Sequence, residues 1–171
     1  MITKFARLEF ELFTKPYFTA DDVFEMAEKL ERNGAKFYRT AAENVSDPKS
    51  KELLIGLAEM EDEHEKTFAL LRAGLSNAEK IATVFDPENE SALYLRALAD
   101  TRVFFVFYID TSLMKEILKA AIVAEKDSIV FYLGLKDVVP DQLGKSRLDT
   151  IIKEEMVHIR ILAKELISLN E

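Results

Sequence analysis

The sequence contains no cysteine and no tryptophan, and among its 171 residues only five are glycine and four are proline. Without cysteine there are no disulfides, no thiolate metal sites and no cysteine nucleophile, so histidine and carboxylate remain as the available metal ligands. Any redox chemistry then requires a bound metal or cofactor. So little glycine and proline argues against many short strands joined by tight turns, and plentiful alanine, leucine, glutamate and lysine favour long helices. The net charge of −8, with no basic run, leaves no electrostatic footprint for a phosphate backbone, so nucleic acid is not expected as a partner. The longest apolar run near the middle, Val103 to Ile109, is far short of the roughly 20 residues needed to span a bilayer. The N-terminal segment interrupts its apolar residues with Arg7, Glu9 and Glu11, unlike a secretory leader. The expectation is a soluble cytoplasmic protein with no membrane partner.

Half of the residues are hydrophobic (49%), enough for one sizeable core, and residues 1–171 are expected to form a single domain. Thr19 and Asp22 have the spacing of a capping box, and apolar residues recur at helical intervals from there to about Asn44, predicting helix A. Ser46-Asp47-Pro48 offers a cap and a first-turn proline, and a second periodic stretch, helix B, runs from about Lys49 to Ala73, where Gly74 stops it. Residues 75–111 form a long connection with a turn at Asp86-Pro87 and a short helix over Ser91 to Asp100. Helix C is predicted over Ser112 to Asp137, Val138-Val139-Pro140 breaks it, and helix D covers Asp141 to Ile167. A short loop, a long crossover and a second short loop make an all-α, ferritin-like antiparallel four-helix bundle the expected fold. Residues 1–18 show no clean helical period and read as an N-terminal extension packed on the bundle or on a second subunit.

The two halves repeat. Glu31 aligns with Glu125, Phe37-Tyr38 with Phe131-Tyr132, Glu61 with Glu155 and His64 with His158, always at an offset of 94 residues. This pattern is that of a duplicated helical hairpin. On each predicted helix these polar residues fall in the middle of an otherwise apolar stripe, because residues three or four apart share a face. On A the stripe is Phe24, Ala27, Glu31, Gly34, Tyr38 and Ala41; on B it is Leu54, Leu57, Glu61, His64, Phe68 and Leu71. Helix C carries Leu118, Ala121, Glu125, Ser128 and Tyr132, and helix D carries Leu148, Ile151, Glu155, His158 and Leu162.

Burying four unpaired carboxylates costs several kcal/mol each even after relaxation. Two divalent cations would cancel the four negative charges, and mixed oxygen and imidazole donors suit iron or manganese. In each Glu-x-x-His motif the two side chains point the same way, so Glu61 or Glu155 can reach two metals while His64 or His158 caps one. The other acidic residues nearby, Glu59, Asp62, Glu63, Glu65 and Glu154, are off the ligand stripes and read as a solvated face. Glu28, one turn before Glu31, aligns with Ile122 in the second half and is a poorer ligand candidate.

On Glu31, Phe37-Tyr38, Glu61 with His64, Glu125, Phe131-Tyr132 and Glu155 with His158, the chain resembles the rubrerythrin branch of the ferritin-like superfamily over about residues 20 to 168. The resemblance implies two iron ions, with Glu61 and Glu155 bridging and Glu31, Glu125, His64 and His158 as terminal ligands. It implies an oxidoreductase that reduces peroxide or dioxygen, associated with oxidative stress. A homodimer is expected because such proteins often dimerise. With no cysteine for a rubredoxin-type site, the reductant is expected to be a separate electron-donor protein. Ser128 stands where many members carry a further carboxylate, and Gly34 and Ser128 together leave room for an exogenous ligand. Tyr38 and Tyr132 are candidate catalytic residues that hydrogen-bond a bridging carboxylate or carry electrons; core aromatic packing explains them equally well. The alternatives are ferroxidase or iron-handling activity, and a structural bundle without catalysis.

Overall fold

The computed structural model describes residues 19–77, 80, 93, 112–139 and 144–169, with the side chains of residues 137 and 138 left aside. They form four long helices: α1 (Ala20–Asn44), α2 (Pro48–Ala73), α3 (Met114–Val138) and α4 (Lys145–Ser168). The expected extension 1–18 lies outside the described residues, as does most of the crossover 75–111.

Local chemistry sets the helix ends. At the start of α1 the Asp22 amide donates to Thr19 Oγ1 at 3.2 Å and the Thr19 amide donates to Asp22 Oδ2 at 3.0 Å, the reciprocal pair expected of a capping box. Asp47 caps α2 by accepting from the Ser50 amide at 2.8 Å, and Pro48 occupies the first turn, where its missing N–H costs nothing. Two starts differ from the sequence expectation. Helix α3 begins at Met114 rather than at Ser112, after an extended Leu113 whose apolar side chain cannot cap it. Helix α4 begins at Lys145 rather than Asp141, because Gly144 has φ 127°, a backbone state no helix interior can hold.

Two apolar layers fix how the helices run. One contains Val23, Phe24, Phe68, Phe131, Leu135, Leu148 and Ile151; the other contains Ala41, Leu54, Leu57, Ile117, Leu118 and Leu162. Helix α1 passes from the first layer to the second and α2 returns, so these two are antiparallel. Helix α3 runs from the second layer to the first, parallel to α2, and α4 returns. The end of α2 and the start of α3 therefore lie at opposite ends of the bundle, about 40 Å apart for helices of this size. Full burial of each large apolar side chain contributes about 1.5–3 kcal/mol, so the two layers can hold a costly polar band between them.

Candidate metal centre

The polar band is a cluster of Glu31 from α1, Glu61 and His64 from α2, Glu125 from α3, and Glu155 and His158 from α4. All six are at most 4% exposed. They form two overlapping groups, Glu31, Glu61, His64 and Glu155 in one and Glu61, Glu125, Glu155 and His158 in the other, with donor atoms in each within 4.8 Å of one another. The structure thus brings together all six residues singled out by the duplication, and Glu61 and Glu155 are the two common to both groups.

Each of these shared carboxylates turns one oxygen to each histidine. Glu155 Oε1 is 3.1 Å from His64 Nδ1, and Glu155 Oε2 is 2.9 Å from His158 Nδ1. Glu61 Oε2 lies 3.4 Å from His64 Nδ1, and Glu61 Oε1 lies 3.6 Å from His158 Nδ1. Glu31 approaches only His64, at 3.7 Å, and Glu125 only His158, at 3.5 Å. The two imidazoles lie nearly parallel, 19° apart in plane with centroids separated by 5.6 Å.

Whether this set fits a metal pair can be tested on its own atoms. Among the described residues, His64 Nδ1, His158 Nδ1 and both Glu155 oxygens are buried with no hydrogen-bond partner. Close approach without hydrogen-bond alignment means that the lone pairs converge on the space between the residues rather than on one another. Buried polar atoms are almost always satisfied, so a convergent unsatisfied set of carboxylate and imidazole donors fits divalent cations.

Without cations, protons must balance the charge. Burial first, and then the neighbouring Glu61 carboxylate, push Glu31 and Glu125 well above the usual carboxylate range. Burial opposes ionisation of the histidines, but the surrounding carboxylates outweigh it: His64 is raised far above its ordinary value and His158 is raised to about 12. Glu61 and Glu155 are also penalised by burial, yet the adjacent imidazolium groups hold both below the usual range. Two cationic imidazoles and two carboxylates balance, with Glu31 and Glu125 neutral.

Tyr38 donates to Glu125 and Tyr132 donates to Glu31, each reaching across from α1 to α3 or back. Both phenols also pack against aromatic neighbours, Tyr38 on Phe37 and Tyr132 on Phe68 and Phe131. The carboxylates they contact are those confined to one group, not the shared Glu61 and Glu155 expected from sequence. The space beside Gly34 belongs to Glu61, since a Cβ there would lie 3.4 Å from Glu61 Cγ. Ser128 donates to the Ala124 carbonyl at 3.1 Å.

Most of the remaining acidic residues behave as a surface. Arg39 pairs with Asp62, Arg32 with Glu65 at 2.6 Å and Lys66 with Glu63 at 2.6 Å, while Glu28 lies 3.5 Å from Arg72 and away from the cluster. Glu154 does not. Its Oε2 is 2.9 Å from His64 Nε2, making it the contact that sequence reasoning missed. The duplication could not have revealed it, because Met60 stands at the equivalent place in the first half. Glu154 and Met60 both line a groove of about 600 Å³ that reaches His64 and His158 from the surface between α2 and α4.

No family model matches the chain, and no curated protein matches it at a significant level. A solved structure from Thermotoga maritima, described as a ferritin-like diiron-carboxylate protein, is similar at 25% identity with a TM-score of 0.66, covering 88% of this chain and 95% of its own. The fold is thus an all-α ferritin-like bundle. Among the described residues, no helix is long and apolar enough to cross a membrane.

Proposed function

We propose that this chain is a di-iron oxidoreductase of the rubrerythrin type that reduces peroxide or dioxygen, with electrons supplied by a separate protein. The observation that carries the reading is the sharing of Glu61 and Glu155 between two groups that each add one glutamate and one histidine of their own. That arrangement provides two equivalent donor sets joined by two carboxylates, and the T. maritima protein of similar fold is described in di-iron terms. When bound, two ferrous ions would each supply one electron, which together with two protons converts one peroxide to two molecules of water.

The residues have distinct tasks. Glu61 and Glu155 would bridge the two ions, Glu31 with His64 and Glu125 with His158 would complete the two ends, and manganese could occupy the same donors. The phenols of Tyr38 and Tyr132 hold the Glu125 and Glu31 carboxyl groups in place. The apolar layers on either side exclude water along the bundle axis, and among the described residues the groove beside His64 and His158 offers a route for a small oxidant. Truncating either shared carboxylate, Glu61→Ala or Glu155→Ala, removes a donor from both groups and should abolish turnover.

The groove favours one other reading, since Glu59, Asp62, Glu63 and Glu154 on its walls could admit cations to the cluster. In that case the site would oxidise ferrous ion as cargo and pass it on. An anaerobic ferrous titration of metal-free protein, followed by mixing with peroxide or air while near-ultraviolet absorption is recorded, separates the two. Saturation at two irons per chain with faster oxidation by peroxide supports the reductase. Saturation without that preference favours iron oxidation, whereas absence of saturable binding or retained peroxide reduction in both alanine variants refutes the proposal.

A further inference from the structure

The two donor groups are nearly identical in composition, but their surroundings are not. Each has the two shared carboxylates, one further glutamate and one imidazole presenting Nδ1 to the cluster. On the far side of His64, Nε2 meets Glu154 Oε2 at 2.9 Å. On the far side of His158, Nε2 is buried and has no hydrogen-bond partner among the described residues. The repeat places Met60 where Glu154 stands, and a thioether cannot replace a carboxylate as a strong acceptor.

A carboxylate only accepts, so His64 Nε2 carries a proton whether or not metal is bound, and loss of the Nδ1 proton on ligation leaves the Nδ1 lone pair directed at the cluster. That contact fixes both tautomer and ring orientation and makes the imidazole a stronger donor; loss of such a partner typically lowers metal affinity about 10- to 100-fold. Among the described residues nothing gives His158 such help. Glu154 is half exposed at the groove wall, while His64 is buried, so the bond links the surface to one end of the cluster only.

We propose that Glu154 is a positioning residue for His64 that makes the two metal positions unequal, so that the position served by Glu31 and His64 fills first and holds its ion more tightly. The inference rests on the dinuclear reading above and deepens it. Glu154 is outside the six donors and acts through His64 alone.

The experiment uses the full chain and zinc as the probe. Because the sequence contains just two histidines, 15N-histidine spectra report ligation at His64 and His158 separately. With less than one zinc per chain, His64 Nδ1 is expected to shift ahead of His158 Nδ1. Glu154→Met, which copies the first half of the repeat, should erase that order by weakening the His64 position on the order of 10- to 100-fold. Glu154→Gln, whose amide oxygen still accepts, should restore part of it, and Met60→Glu should strengthen the His158 position. The metal-free Glu154→Met protein should keep its helical circular dichroism and lose only the stability that one unsatisfied buried donor costs, so a changed filling order with the fold intact separates positioning from a general structural role. Simultaneous filling in the unmodified chain, His158 filling first, or an unchanged order in Glu154→Met overturns the proposal while leaving a dinuclear site standing. Failure of the unmodified chain to take up zinc saturably overturns both.

Discussion

The phenol of Tyr38 on α1 donates its hydrogen bond to the carboxyl group of Glu125 on α3, 87 residues away in sequence. Its counterpart in the duplication does the reverse, Tyr132 donating to Glu31. The two bonds cross the bundle and tie the halves together through the residues that flank the shared carboxylates. Removing either hydroxyl leaves a buried carboxyl without its donor, at a cost of about 1–3 kcal/mol. Tyr38→Phe and Tyr132→Phe should each destabilise the metal-free protein by that amount in denaturant unfolding, with similar losses expected from the related positions.

Metal uptake should expel protons. His64, His158, Glu31 and Glu125 hold protons in the metal-free cluster, and ligation requires them to give these up. Affinity should therefore rise with pH, and buffers of different ionisation enthalpy should reveal proton release in a calorimetric titration. The histidine contribution to metal-free stability has the opposite sign. A folded value raised from 6.5 to about 12, as for His158, gives stabilisation that is complete below 6.5 and declines as pH climbs toward about 12. Chelated protein should lose thermal stability over that range, while the metal-loaded form, whose ions replace the protons, should lose less. At a free metal concentration 100 times the dissociation constant, binding should add about 2.7 kcal/mol.

Gly34 on α1 faces the side chain of Glu61 on α2. A methyl group at this position would make ordinary van der Waals contact, 3.4 Å from Glu61 Cγ and 3.5 Å from Cδ. Gly34→Ala should leave the fold intact and add about 1 kcal/mol from helix propensity, since the new methyl group meets Glu61 without a clash. Gly34→Val adds branches that must displace the Glu61 side chain, so metal affinity should fall at least tenfold while the helical circular dichroism persists. Equal affinity in the two variants would show that Glu61 yields without consequence.

Gly144 has a different constraint. Its φ of 127° is costly for any L side chain, and an added Cβ would come within 2.8 Å of Leu71 Cδ2. Gly144→Ala should destabilise the protein by about 1–3 kcal/mol, visible as a lower thermal midpoint. Trimming the obstructing group in Gly144→Ala with Leu71→Ala should relieve the clash but not the backbone strain.

The sequence by itself determined the four helices and the six clustered residues. Both signals are local or repeated: apolar spacing at 3.6 residues, the Thr19 and Asp47 caps, and an offset of 94 that recurs at Glu31, Glu61, His64 and their counterparts. A polar residue in the middle of an apolar stripe can be recognised without knowing which helix faces it. The start of α4 was less legible, because Gly144 stops the helix through its backbone state and not through a capping side chain. What only the tertiary structure decided is which side chains meet across helices. Tyr38 reaches Glu125 rather than a shared carboxylate, and Glu154, off the ligand stripe and unmatched in the repeat, reaches His64. Those contacts depend on the rotation and axial register of one helix against another. Periodicity along a single helix leaves both of these free, and packing of the two apolar layers fixes them.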